Sequence, residues 1–456
     1  TNPDNPSEYR YHDRWERMRV IEEQILVKGE PPVTVQLKYT RHGPVQYEDI
    51  ENRKAYALRA AWLDIGSAPY LASLRMDQAR SWEEFREACS YSRIPAENMV
   101  WADREKNIGY QAVGVSPIRP NWSGLVPVPG DGRYEWDGYL PIKALPHVAN
   151  PPEEYFGTAN NYMVPDGYPY LNALHYTWGD EMRATRLNEV LRSGSRHTLI
   201  DMMRLQQDEF SVPAKNLIPF LRGLTLDDPA ANDARRSLLR WDAVLDRDSV
   251  DAAIYVTWER RLMQNLHELL VPESIRDFLG GLNMKKVINW LAAPDGRFGP
   301  DPIEGRDRLL VHSMEEALEE LRTRLGPDQT QWHYGQPDFK HALIRHPLSP
   351  AVDDATRARL DVGPVARGGY GRSLNNTGNG DNQTSGASFR MIADTEDWDH
   401  AVGTNAPGQS GDPDDPHYRD LFELWAAGKY FPVFYSRAKV ESVAERTERL
   451  MPTEPR

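Results

Sequence analysis

Apolar and polar residues alternate along the first third of the chain. VTVQLKYT (33–40) puts Val33, Val35, Leu37 and Tyr39 on one side and mostly polar residues on the other, the period of a half-buried strand. IEEQILV (21–27), joined to it through KGEPP, predicts the other arm of a hairpin. KAYALRAAWL (54–63) alternates likewise through Tyr56, Leu58, Ala60 and Trp62 and predicts a further strand. In SWEEF, Ser81 with Glu84 three residues on is the capping-box spacing that opens a helix. NMVWADREKNIGYQAV (98–113) predicts two strands around a polar turn from Asp103 to Asn107.

The pattern then changes twice. Residues 115–175 are rich in Pro, Gly and aromatics, a long irregular stretch of the kind that often carries function when it is ordered. From about 178 to 325 the apolar residues take helical spacing, in RATRLNEVLR, TLIDMMRLQQDEF, PAKNLIPFLRGL, ARRSLLRWDAVL and MEEALEELRTRL. The last quarter returns to strand and loop, with GGYGRSLNNTGNGDNQTSG (368–386) and NAPGQSGDPDDPHY (405–418). The order strand, helix, strand, without repeat or Gly/Ser linker, favours one α+β body over residues 1–456. Its parts are a strand-rich core (1–177), a mainly helical segment (178–330) and a return to the core (331–456).

Composition narrows the function. A formal charge of −14 on 456 residues argues against a general grip on nucleic acid, whose phosphates would be repelled. Cys89 is the single cysteine, so neither an intrachain disulfide nor a thiolate metal cage can form. No apolar run approaches the ~18 to 20 residues that span a bilayer. The opening TNPDNPSEYRYHDRW has neither the pattern of a secretion signal nor a Met start, and the expectation is of a sequence beginning part-way into a longer one.

Most candidate chemistry falls away on spacing. The 12 histidines include no HExxH, and His341 and His346 in HALIRH are unhelpfully spaced for zinc. GGYGRSLNNTG lacks the GK[ST] ending of a phosphate cradle and reads as a Gly-rich turn. DPDDP (412–416) clusters carboxylates as a calcium loop would, but two prolines and no closing glutamate leave a solvated loop. With 68 acidic residues and 13 tryptophans, a carbohydrate-active enzyme using two carboxylates is an alternative that spacing alone does not select. In GTANNYMVPDGYPY, Asn160 and Asn161 stand back to back. Asparagines favour turns, because their side chains bond nearby backbone. An amide NH2 can also donate to the oxyanion formed when an amide or ester carbonyl is attacked, worth roughly 3 kcal/mol. That second role presupposes a nucleophile elsewhere.

WADREKNIGY (101–110), PVPGDGRYEWDGYLP (127–141), TANN (158–161), WGDEMRATRL (178–187) and APGQSG (406–411) followed by HY occur in this order. Together they resemble the catalytic β subunit of the penicillin acylase family, a branch of the N-terminal-nucleophile hydrolases, over nearly the whole chain. The resemblance implies a four-layer αββα fold, here with a helical insertion and with the first strands missing. It implies an amidohydrolase whose precursor cuts itself into an α and a β chain, which stay together as a heterodimer. The new N-terminal serine of the β chain is the nucleophile, with its own amino group as base. Substrates of the family are small N-acyl compounds such as β-lactam antibiotics and acyl-homoserine lactones, and its members are usually exported to the periplasm or beyond.

Carried over by position, Asn160 matches the oxyanion asparagine and Arg183 the arginine that orients it, in preference to its neighbour Arg186, taken as exposed. Asn172 falls where some members place a calcium-ligating aspartate, and an amide carbonyl ligates calcium more weakly than a carboxylate. No cofactor is implied for the chemistry. Two departures stand out. The serine is absent, and Thr1 is a poor replacement because Pro3 and Pro6 remove donors that a paired strand needs. Some members also pair the arginine with an acid in or near the Gly-rich loop, where this chain has Tyr370, with Asp381 the nearest acid. The resemblance therefore implies most of a catalytic subunit, inactive by itself and exposing sheet edges. A degenerate, inert acylase-like binding or structural module is the competing expectation.

Overall fold

The alternating segments pair in the register their pattern requires. Strands Arg19–Ile25 and Val33–Thr40 form the expected hairpin, with Ile21 opposite Leu37 and Ile25 opposite Val33. Gly43–Asp49 and Lys54–Ala57 extend it to a four-stranded antiparallel sheet. The predicted strand 54–63 stops at Ala57, and Ala61–Leu63 coil into a short 3-10 turn, so Leu58 and Trp62 do not share a strand face. Glu97–Ala102 and Ile108–Val113 form the second predicted hairpin, around a turn in which the Asp103 carboxylate accepts from the Asn107 backbone at 2.9 Å. Ser81 caps the helix Trp82–Cys89 by accepting from Glu84 N, while the Glu84 carboxylate reaches back to Arg80 N.

The computed structural model describes residues 1–66, 71–194 and 196–451. The chain divides into two compact units: Thr1–Thr158 with Tyr162–Gly179, and Ala159–Asn161 with Asp180–Arg456. The first unit holds the strands above around a modest core of Phe85, Cys89, Val113, Leu140, Leu145 and neighbours. Its four-stranded sheet is barely covered: Val20, Ile25, Val33, Leu37 and Tyr47 are each at least 40% exposed. The alternation that promised a half-buried strand is present, but among the described residues no core packs on the apolar side.

The second unit carries the main core, built on two long helices. The first, α1 (Val250–Leu270), is buried without a break from Ala252 to Glu259, where the stretch AAIYVTW leaves almost no polar face. The second, α2 (Pro302–Leu325), begins at a capping Asp301 with Pro302 at its first position and ends at Gly326, whose φ of 90° suits glycine. The buried Trp258 indole on α1 donates to Leu310 O on α2 at 3.2 Å, so one large side chain fills the seam without stranding its N–H. Among the described residues no helix is long and apolar enough to cross a membrane.

Candidate active site

Asn160 sits in the left-handed region at φ 65°, a conformation that asparagine tolerates better than most residues other than glycine. The adjacent Asn161 accounts for the turn, since its Oδ1 accepts from Ala159 N at 3.1 Å. Asn161 thus closes the backbone turn, while the Asn160 side chain is exposed.

What holds Asn160 is Arg183, in the first turn of the helix Met182–Leu191. Arg183 Nη2 donates to Asn160 Oδ1 at 2.9 Å. A guanidinium has donors only, so the amide atom facing it must be the oxygen. The NH2 is thereby aimed away from the arginine, and it has no partner among the described residues. Arg183 itself is half-buried and, among the described residues, makes no ion pair. Removal from water pulls its pKa below the ordinary value, and the charge of Asp180 offsets part of that effect. The arrangement is a neutral donor with a fixed orientation, backed by a cation. It suits a negative charge that develops on an oxygen in front of it.

The other expected partners lie elsewhere. Arg186 is not the exposed neighbour expected from the sequence: its Nη2 and Nε bind Asp208 at 2.7 and 3.0 Å, and its side chain is 24% exposed. Asn172 lies in the first unit, where its backbone carbonyl accepts from Arg119 N at 3.2 Å. Among the described residues no three His, Cys, Asp or Glu side chains converge as a metal site. Asn172 thus offers a single neutral side-chain oxygen, fewer ligands than the six to eight oxygens that calcium takes. The amino group of Thr1 donates to Arg53 O at 2.6 Å, and the first strand begins only at Glu8.

The Gly-rich loop has the opposite polarity to a phosphate cradle. Lys340, fully buried, donates to the carbonyls of Thr377, Gly378 and Gly380 at 2.8, 2.8 and 2.6 Å. Burial pulls its pKa down to about 7, but a neutral amine has two N–H groups for three carbonyls, so the acceptors favour the ammonium. Asp381 is taken by Arg260 and Arg324 and does not pair with Arg183. Tyr370 points into the core, its hydroxyl 2.8 Å from Ser211 Oγ and 3.3 Å from Glu259.

An acid whose charge acts on the arginine was passed over in the sequence, Asp180, three residues before Arg183. Its Oδ1 accepts from Met182 N at 3.2 Å and its Oδ2 from Arg372 Nε at 3.1 Å. The only available signal was the DEMR spacing at the helix entrance, where a carboxylate favours the N-terminus.

Comparison with known proteins places this geometry in a class. The sequence matches the penicillin amidase family over residues 1–442, and the chain belongs to that family. Among its relatives, the acyl-homoserine lactone acylase QuiP of Pseudomonas aeruginosa is 28% identical over 91% of this chain and 55% of that protein. The penicillin acylase 2 proenzyme of Pseudomonas sp. strain SE83 is 27% identical over 97% of this chain and 57% of that protein. The chain thus spans about half the length of the curated relatives it matches. In fold it is similar to the thermostable penicillin G acylase of Alcaligenes faecalis, with a TM-score of 0.71 and 22% identity, covering 100% of this chain and 85% of that one. The expected α+β, N-terminal-nucleophile hydrolase fold is the fold observed.

Proposed function

We propose that this chain supplies the oxyanion-binding half of an amidohydrolase that cleaves the linear amide of small N-acyl compounds of the acyl-homoserine lactone or β-lactam type. The observation that carries the reading is Asn160, held at φ 65° with its oxygen fixed by Arg183 and its NH2 presented outward. In the reaction, attack on the amide carbonyl moves charge onto its oxygen, and the Asn160 NH2 donates to that oxygen as the charge develops. Arg183 keeps the donor from flipping and, as a cation behind the amide, favours the negative charge in front of it. The names of the relatives, acyl-homoserine lactone acylases and penicillin acylases, support the bond class.

The nucleophile in this reading is an N-terminal serine from the rest of the protein, freed by self-cleavage that also yields an α chain as permanent partner. One relative is named a proenzyme, which is in keeping with this. An exported location belongs to the same proposal and is read by fractionating the producing cells. The test is turnover of acyl-homoserine lactones and penicillins by the full-length protein, with and without Asn160→Ala. The substitution is expected to cost about 10²-fold in kcat. An Asn160→Ala protein as fast as wild type removes Asn160 from the mechanism, and a processed wild-type protein with no amidase activity makes the chain an inert module.

A further inference from the structure

Arg183 poses an electrostatic problem of its own. Its guanidinium binds a neutral amide, yet a carboxylate within reach would compete for the same N–H groups. The amide already accepts from a charged donor, but a carboxylate adds the attraction of opposite charges to the same hydrogen bond. Asp180 stands three residues before Arg183 at the entrance of the same helix, so its carboxylate, left free to turn, would compete with Asn160 for the guanidinium.

The structure contains the restraint. Asp180 is the anion whose charge acts on Arg183, and both of its oxygens are engaged. Oδ1 accepts from Met182 N in the first helical turn at 3.2 Å, and Oδ2 accepts from Arg372 Nε at 3.1 Å. The residue at the formal cap position, Glu181, makes no side-chain cap bond, so Asp180 does that work. Arg372 is fixed from behind: its Nη1 donates to Glu259 Oε1 at 2.8 Å. Glu259 is 4% exposed on α1 and also receives the hydroxyls of Tyr255 and Tyr370. A guanidinium suits this place because its planar fork serves two carboxylates at once, which a point-charge ammonium does poorly.

We propose that Asp180, restrained by Arg372, is the positioning carboxylate of the site. It fixes the entrance of the Met182–Leu191 helix and steadies the Arg183 charge, while Arg372 and the Glu259 anchor prevent it from capturing the guanidinium that orients Asn160. The inference rests on the oxyanion reading of Asn160, and goes further by assigning two residues that touch no reacting atom.

The experiment is a pair of mutant cycles in the full-length protein. Asp180→Asn removes the charge but keeps an acceptor and a similar shape, and Arg372→Lys keeps a cation for Glu259 but loses the fork. Each is made with Asn160 intact and in the Asn160→Ala background. With Asn160 intact, each is expected to lower kcat about 10-fold at nearly constant KM, the worth of one charge-assisted hydrogen bond. In the Asn160→Ala background neither is expected to cost anything further, because the group they position is gone. Equal losses in both backgrounds, or no loss in either, overturn the proposal. If Arg372→Lys does not fold, Asp180→Asn alone decides. If Asn160→Ala itself costs nothing, the oxyanion reading falls. The Asp180 assignment is then decided by a crystal structure of Asp180→Asn: an Arg183–Asn160 bond still intact overturns it, and a broken one upholds it.

Discussion

Replacing Arg183 by methionine tests whether the orientation of one amide controls the rate. Methionine keeps an unbranched stem at this half-buried position and removes the single 2.9 Å bond that distinguishes oxygen from nitrogen on Asn160. A hydrogen bond from a charged group contributes about 1.5 to 3 kcal/mol, which at RT of about 0.59 kcal/mol is a factor of about 10 to 150. The loss has a ceiling, since an oxyanion donor is worth roughly 3 kcal/mol in total, or about 10²-fold. Turnover is therefore expected to fall about 10- to 100-fold. KM should hardly move, because the NH2 meets a charge that exists only after attack has begun. The assay is initial-rate hydrolysis of an acyl-homoserine lactone and a penicillin by the full-length protein, with intact mass to score self-cleavage separately. Arg204→Met is the control: that side chain is 77% exposed and its contact to Asp201 is 3.6 Å long. Arg186 cannot serve, being tied to Asp208. If Arg183→Met keeps kcat within twofold while Asn160→Ala loses 10²-fold, the orienting argument is wrong even though Asn160 is catalytic.

Asn160→Gly should separate strain from chemistry: at φ 65° glycine relieves about 1 kcal/mol, so the melting temperature should hold or rise while kcat falls as it does for Asn160→Ala. Glu209, which accepts from Asn375 Nδ2 at 2.9 Å, has its pKa raised by burial from 4.5 to about 7. The folded state thus holds a proton that the unfolded chain has lost between those values, and stability falls as pH rises from 4.5 to 7, by on the order of 3 kcal/mol. Glu209→Gln should raise the melting temperature at pH 8 and leave it unchanged near pH 4, and equal melting shifts at both would refute the assignment. For calcium, this chain alone should show no melting shift on chelation, because Asn172 offers one neutral oxygen. A shift in the full-length protein that Asn172→Ala abolishes would place calcium at Asn172 with carboxylates from the rest of that protein, and no shift there would remove the site.

Local rules carried well where they acted over a few residues. The hairpin through Val33–Thr40, the turn at Asp103 and the Ser81 cap were legible because alternation and capping depend on near neighbours. KAYALRAAWL misled because an alternating pattern continues whether or not a pairing strand does, and pairing ends at Ala57. Asn160 and Arg183 came from resemblance, and the structure adds the reason they belong together. Asp180, Arg372 and Glu259 stayed hidden for a different reason. Arg372 meets Asp180 across 192 residues and Glu259 across 113, and one acid among 68 has no local feature that marks it as buried. Tertiary contact of that range leaves no periodic trace. The apolar side of the four-stranded sheet shows the converse: its sequence promised burial that the described residues do not provide.

Lys340 has one further consequence. Three carbonyls converging on one positive centre is the geometry that many loops entrust to a dissolved potassium or calcium ion. Here the cation is covalently part of the chain, so the Gly-rich loop is closed as soon as the polypeptide folds. Its closure owes nothing to the ionic composition of the surroundings, and no chelator can extract its counter-charge. Removal of metal ions is therefore expected to leave these three carbonyls held.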